Sequence, residues 1–263
     1  MSNPAGSFIW YELMTPDHGA AKRFYDPIMG WSIEAEAAGD VNYLMITLPD
    51  ANVGGVLPLT PEMTAGGARP GWFPYICVDD VDATVARAEA LGGQVMMPAH
   101  DMPGVGRFAL LADPNGAPFY VMRPTPRDDG AVSTVFAPEQ LGHVAWNELY
   151  ARDQRRALDF YGTLFGWTRG DAMPMGPAGD YVFFHHGDLR LGGVMPRTDI
   201  PSAWAFYFAV PDIHAAKAWF EGQGKRVLGE PRIGAHGTLI FFVHPRDMQG
   251  VLTEIMETPR HDH

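Results

Sequence analysis

Residues 8–14 read as a strand with apolar side chains in both of its alternating rows. Phe8, Trp10, Glu12 and Met14 form one row, and Ile9, Tyr11 and Leu13 the other. Both faces are expected to be covered, with one carboxylate, Glu12, set among bulky neighbours. Pro16-Asp17 then starts a helix in which Ala20, Ala21, Phe24, Tyr25 and Ile28 recur at helical spacing, and Gly30 stops it. Residues 31–35, 42–48 and 53–59 predict three short strands, separated by turns at Gly39-Asp40 and at 49–52. A Pro/Gly-rich connector, 60–71, leads into the same order again. It comprises a strand at 73–78, a helix at 80–91 capped by Asp80 or Asp82 and stopped at Gly92-Gly93, and strands at 94–98, 107–112 and 117–123. Asp113-Pro114-Asn115-Gly116 makes the last tight turn.

The pattern then starts over. Trp10/Trp146, Glu12/Glu148, Asp17/Asp153, Phe24/Phe160, Tyr25/Tyr161 and Trp31/Trp167 share one offset of 136 positions. Gly192-Gly193-Val194 echoes Gly54-Gly55-Val56, and helices are expected at 155–164 and 213–222. The chain is therefore an internal duplication, and each half is itself two strand-helix-three-strand units. The polar, Pro-bounded stretch 124–138 reads as a linker between a first domain, 1–123, and a second, 139–263.

Composition narrows the partners. Lys+Arg 19 against Asp+Glu 31 gives a net charge of −12, the wrong sign for gripping phosphate backbones, so neither nucleic acid nor an anionic membrane is expected. No stretch approaches the ~20 apolar residues that span a bilayer, and residues 1–6 lack a signal-peptide pattern. The single Cys77 excludes an internal disulfide and a thiolate-rich metal site. The expected location is cytoplasmic.

Four strand-helix-three-strand units, the strand-Asp-Phe-Tyr-x-x-x-x-Gly-Trp opening and the Asp113–Gly116 turn before a final strand resemble the vicinal oxygen chelate superfamily of glyoxalases, bleomycin-resistance proteins, extradiol dioxygenases and methylmalonyl-CoA epimerases. Trp-x-Glu-Leu and residues 93–98 resemble a tandem group within it, the mycobacterial 27-kDa antigens. The resemblance covers nearly the whole chain. It implies an α+β fold of four βαβββ modules in tandem, making two glyoxalase-like domains with curled mixed sheets around cavities. It also implies metal ligands, where members use them, on the first and last strands of the units. In the first half those positions carry Trp10, Trp72 or Phe73, and Tyr120, so no metal is expected there. In the second half Trp146 and Ala205 take two of them. The run from His244-Pro245 through Met248, Gln249, Gly250, Val251 and Leu252 to Glu254 is similar to the epimerase motif whose Glu ligates metal. His143 resembles the start of a ligand-bearing strand. Together they leave one divalent metal, on His143 and Glu254, open for the second half.

The residues alone leave alternatives. Glu12 and Glu148 either face a ligand or belong to a structural hydrogen-bond network, since an unpaired buried carboxylate is costly. Trp10, Tyr120 and Trp146 are either core or pocket wall. Gly54-Gly55 and Gly192-Gly193 open no helix and read as strand kinks. His185-His186 reads as an exposed strand end, and His261 and His263 as a frayed tail. Three functions compete: a metal-free small-molecule-binding protein, a second-half metal-dependent lyase, isomerase or dioxygenase, and a metal-free acid–base enzyme using Glu148 and Glu254. A buried pair of carboxylates would raise one pKa toward that of a general base.

Overall fold

The computed structural model describes residues 3–36, 42–235, 237–247, 251 and 253–258. The Gly39-Asp40 turn, Met248, Gln249, Gly250, Leu252, His261 and His263 lie outside the described residues. The first module is β1 (Phe8–Thr15), α1 (His18–Met29), β2 (Ser32–Ile33), β3 (Leu44–Thr47) and β4 (Asn52–Pro58). The connector carries a short helix, α2 (Pro61–Ala65). The second module is β5 (Gly71–Cys77), α3 (Val81–Ala90), β6 (Gln94–Met102), β7 (Gly106–Ala112) and β8 (Pro118–Pro124). The third is β9 (Val144–Ala151), α4 (Gln154–Phe165), β10 (Thr168–Pro174), β11 (Asp180–His186) and β12 (Leu189–Pro196). The fourth is β13 (Ala203–Val210), α5 (Ile213–Gly222), β14 (Arg232–Ile233), β15 (Leu239–Val243) and β16 (Thr253–Glu257).

The class is α+β, with two eight-stranded mixed sheets in the orders β2-β3-β4-β1-β5-β8-β7-β6 and β10-β11-β12-β9-β13-β16-β15-β14. In each module the first strand runs parallel to the last, as β1 does to β4 and β13 to β16, and hairpins complete the set. The four longer helices start where Asp supplies a cap. Asp17, Asp80, Asp153 and Asp212 each accept a backbone N–H of the first turn. Among the described residues no helix is long and apolar enough to cross a membrane.

Two elements differ from the expectation. The helix α2 has no apolar stripe to reveal it. It rests on Thr60, whose Oγ1 accepts the Met63 N–H at 3.2 Å, and on a proline at its start. Strand β6 runs past Pro98 to Met102 because it lies at a sheet edge, where a missing N–H is tolerated. Its register against β7 also shifts between Val95/Met97 and Met97/His100.

The described residues form two compact units, and each draws on both halves of the sequence. One comprises Met1–Trp10, Phe73–Ser133 and Asn147–Trp204, which joins the second and third modules. The other comprises Tyr11–Trp72, Thr134–Trp146 and Ala205–His263, which joins the first and fourth. In the first unit Phe119 packs on Phe160, Tyr161 and Phe165. Trp167 stacks on Phe8, Tyr161 and Phe184, and its indole N–H donates to the Gly6 carbonyl at 2.9 Å. Asn115 of the tight turn grips the cap of α4, its side chain exchanging two hydrogen bonds with the Asp153 backbone.

In the second unit the equivalent tryptophan, Trp31, donates to the Gly142 carbonyl at 2.6 Å. There Phe24 of α1 packs on Trp219 and Phe220 of α5. Gly6 (φ +91°) and Gly142 (φ +73°) both need left-handed backbone, and a Cβ at either would lie 2.9 Å from a helix-end carbonyl, Phe165 or Met29. Stretch 124–138 is anchored at its far end. Within the first unit Ser133 accepts and donates hydrogen bonds through Asn3 and Ile9. Within the second unit Val135 is buried.

A single cut near Asp128 should therefore leave the two fragments held together. Each unit keeps segments from both sides of the cut, and their contacts are not severed. Size-exclusion chromatography of the nicked protein checks this. Separation into two monomeric, folded fragments would contradict the division into mixed units.

Candidate functional site

In the first unit the strand β9 presents two different faces. Leu149 lines a crevice under α4 with Leu158, Tyr161 and Gly162, so Asn147 and Leu149 point to the helix and Glu148 and Tyr150 point away from it. Asn147 is satisfied on its side by donating to the Leu191 carbonyl at 2.7 Å. On the other face Tyr181 of β11 donates its hydroxyl proton to Glu148 at 2.9 Å, both groups being buried.

That contact requires a glycine. Gly193 is the register partner of Glu148 and lies directly under the Tyr181 ring, where a Cβ would run into the ring atoms. The neighbouring Gly192 is needed for a different reason, because a Cβ there would collide with the Asn147 carbonyl. The first half repeats the arrangement in the second unit. Glu12 pairs with Gly55, the Tyr43 ring lies over Gly55, and Gly54 lies against the Tyr11 carbonyl. The pairing across each Gly-Gly pair is irregular, with register shifts at Ile46/Thr47 and Phe184/His185, and the glycines also have a steric role. They are cut-outs that let a tyrosine cross the strand next to the carboxylate. The sequence signal was available in Tyr43 and Tyr181, which share the 138-position offset of the Gly-Gly pairs.

Beyond Glu148 the same face of the first unit carries Tyr150, with the Arg197 guanidinium over its ring at 5.5 Å. Arg197 makes two 2.8 Å hydrogen bonds to Asp199, and its pKa is raised first by that bond, then by nearby groups that include Tyr150 and Glu148. Neither Tyr181 nor Arg197 was singled out from the sequence.

The other candidates sit as follows. Tyr120 pairs in register with Tyr75, and their rings stack at 4.0 Å and 12°, with Phe108 6.1 Å from each and His100 against Phe108. Trp10 is half-buried on β1, and Trp146 is buried on β9. Glu12 is buried on β1. Glu254 is fully buried on β16, between Tyr207 of β13 and Phe242 of β15. Its neighbour Thr253 meets the Tyr25 hydroxyl of α1 at 3.2 Å, so Glu254 turns away from the helix. His143 precedes β9, buried, with Nδ1 3.1 Å from the Leu141 carbonyl. His185 and His186 are half-buried rather than exposed, because β11 is flanked on both sides, by β10 and β12.

Divalent ions of the family's kind need three or more oxygen or nitrogen donors. Among the described residues no three His, Cys, Asp or Glu side chains gather in that way. The immediate register partners of Glu254, Tyr207 and Phe242, add no carboxylate or imidazole donor beside it.

Helices α1 and α4 each also anchor a buried phenol. In the second unit the Tyr25 hydroxyl receives the Trp72 indole N–H at 3.0 Å, and burial raises its pKa to about 12. In the first unit Tyr161 receives the Trp204 N–H at 3.2 Å and lies by Asp113. Asp113, read from the sequence only as a turn residue, is buried. Its Oδ1 accepts the N–H groups of Asn115 and Ala117, and burial nevertheless raises its pKa.

This geometry sits on a fold and a sequence with relatives. The chain belongs to the Glyoxalase/Bleomycin resistance protein/Dioxygenase superfamily, whose family model matches twice, over residues 7–121 and 140–255. It is 36% identical over 226 residues to a putative glyoxylase, CFP32, of Mycobacterium tuberculosis, covering 84% of each chain. It is 29% identical over 266 residues to the anthracycline biosynthesis protein DnrV of Streptomyces peucetius, covering 96% of this chain and 94% of that one. Among solved structures, the Mn(II)-bound glyoxalase of Novosphingobium aromaticivorans shares the fold with a TM-score of 0.66 at 17% identity, over 98% of this chain and 83% of that one.

Two outcomes are expected. Gly193→Ala should cost about 1–3 kcal/mol in chemical denaturation by pushing Tyr181 aside, and be nearly neutral in a Tyr181→Ala background. Equal costs in both backgrounds would show that the ring is not what the glycine accommodates. Asp113 carries the opposite sign from a paired carboxylate. Its folded pKa lies above the unfolded one, so protonation favours the fold, and that stability is lost as pH rises through the folded value. Denaturation from pH 4 to 7 should therefore show wild type losing stability relative to Asp113→Asn. A constant difference would refute the buried-charge reading.

Proposed function

We propose that this protein binds a flat, aromatic or amphipathic small molecule without a metal, and that Glu148 with Tyr181 makes the polar contact to it. The observation that carries the reading is the Glu148–Tyr181 hydrogen bond on a strand face turned away from the helix, beside Tyr150. A carboxylate built into such a face by a dedicated glycine accepts a hydrogen bond from a ligand hydroxyl, while the neighbouring rings contribute apolar contact. The stacked Tyr75 and Tyr120 hold an aromatic residue where metal-using relatives of the superfamily are expected to carry a ligand, which supports a first-half site of the non-metal type. The relative named for anthracycline biosynthesis suggests the ligand class, fused-ring quinones and phenols.

A second reading, acid–base isomerisation by Glu254 of the second unit, draws on relatives named methylmalonyl-CoA epimerase, such as the human protein at 27% identity over 48% of this chain. It is favoured by Glu254 being buried on the face away from α1. Both readings are separated by one set of measurements. Titration of tryptophan fluorescence with an anthracycline aglycone should saturate, and Glu148→Gln should weaken binding about tenfold by replacing a charged acceptor with a neutral one. Deuterium incorporation into methylmalonyl-CoA that disappears in Glu254→Gln, without aglycone binding, would overturn the first reading in favour of the second.

A further inference from the structure

The two halves differ beside the carboxylate, and the difference is chemical. Leu59 and Arg197 occupy equivalent positions, each following a Gly-Gly-Val-x-Pro strand. Each donates its backbone N–H at 2.9 Å to an equivalent carbonyl, Thr15 or Ala151. Met14 and Tyr150 are likewise equivalent, two residues beyond Glu12 and Glu148. The second half has thus replaced a Met and a buried Leu by an aromatic ring with a guanidinium upon it.

We propose that Arg197 is a specificity residue of the Glu148–Tyr181 site, recognising an anionic oxygen, carboxylate or phenolate, on the aromatic ligand. The inference rests on the aromatic-ligand reading above. Arg197 is pre-positioned for this. Tyr150 supports one face of its planar head, Asp199 holds Nε and one terminal nitrogen, and Nη1 remains for a further acceptor. The side chain of Arg197 is 35% accessible and that of Asp199 65%, so the head is reachable from solvent. Exposed ion pairs of this kind are weak, so Asp199 holds the guanidinium in place without outcompeting a ligand anion that is partly shielded from water. Glu148 makes the complementary demand. It repels a second anion at its own position and accepts a hydroxyl proton instead. The preferred ligand therefore carries a hydroxyl toward Glu148 and an acidic oxygen toward Arg197.

Anthraquinone-2-carboxylate and its uncharged carboxamide, titrated at pH 7.5 against the full chain, test this. Wild type should bind the carboxylate about tenfold more tightly, the scale of one charge-assisted hydrogen bond. Arg197→Gln should erase that preference by weakening the carboxylate far more than the carboxamide. Asp199→Asn should widen it by releasing the guanidinium. Equal wild-type affinities for the two compounds would overturn the role of Arg197 and leave aromatic binding standing. Binding of neither compound would overturn the aromatic-ligand reading and this inference with it. A preference that survives Arg197→Gln would place the anion contact elsewhere.

Discussion

Two indole N–H groups decide how this chain is assembled. The tryptophan after each helix-ending glycine is buried, and a buried donor without an acceptor costs about 1–3 kcal/mol. Trp31 finds its acceptor at Gly142 and Trp167 at Gly6, so each donor in one half of the sequence is satisfied by the opening of the other half. Around Trp167 lie Phe8, Tyr161, Phe184 and Trp204, and around Trp31 lie Tyr25, Trp72 and Phe208. Neither compact unit can be completed by one half alone. The duplication is therefore a reciprocal exchange, and its backbone register must be conserved between halves even where side chains are free to diverge.

Divergence shows where that constraint is absent. The tyrosine at the centre of each helix anchor has the same tryptophan donor in both units but a different second neighbour, Thr253 in one and Asp113 in the other. On the opposite strand face the glutamate, the glycine beneath the ring and the crossing tyrosine are common to both halves, while Leu59/Arg197 and Met14/Tyr150 are not. Replacing a methionine and a leucine by a tyrosine and an arginine changes what a face can recognise without changing its backbone. A duplicated fold can thus keep one half as scaffold while the other acquires a polar rim.

Much of this was legible in the sequence. The strand-helix-three-strand order, the Asp caps and the 136-position repeat follow from local periodicity and turn chemistry, which act over a few residues. The superfamily followed from their sum. The mixed units were not legible, because a repeat tells which segments are alike and not which ones pair. Gly6 and Gly142, also 136 apart, were the clue, but an isolated glycine carries no periodic signal. The Tyr181–Glu148 contact escaped for a similar reason. It joins β11 to β9 through a register that brings Gly193 under the ring, and register is a property of paired strands. Asp113 was read by its turn type, which is local, whereas its burial depends on α4 packing above the turn.

Charge gives the last constraint on what such a site can do. The chain carries −12 overall, so an anionic aromatic ligand is repelled at a distance. At physiological ionic strength that repulsion is screened beyond roughly 8 Å, whereas the contact with a partly shielded guanidinium is not. Long-range charge then slows encounter, and short-range charge discriminates among ligands already held by their rings. Recognition of this kind would be governed by the lifetime of the complex rather than by steering, since the field outside the site opposes approach and the groups inside it favour retention. In such an arrangement one arginine over one tyrosine is sufficient for selectivity, and the remaining surface can stay acidic.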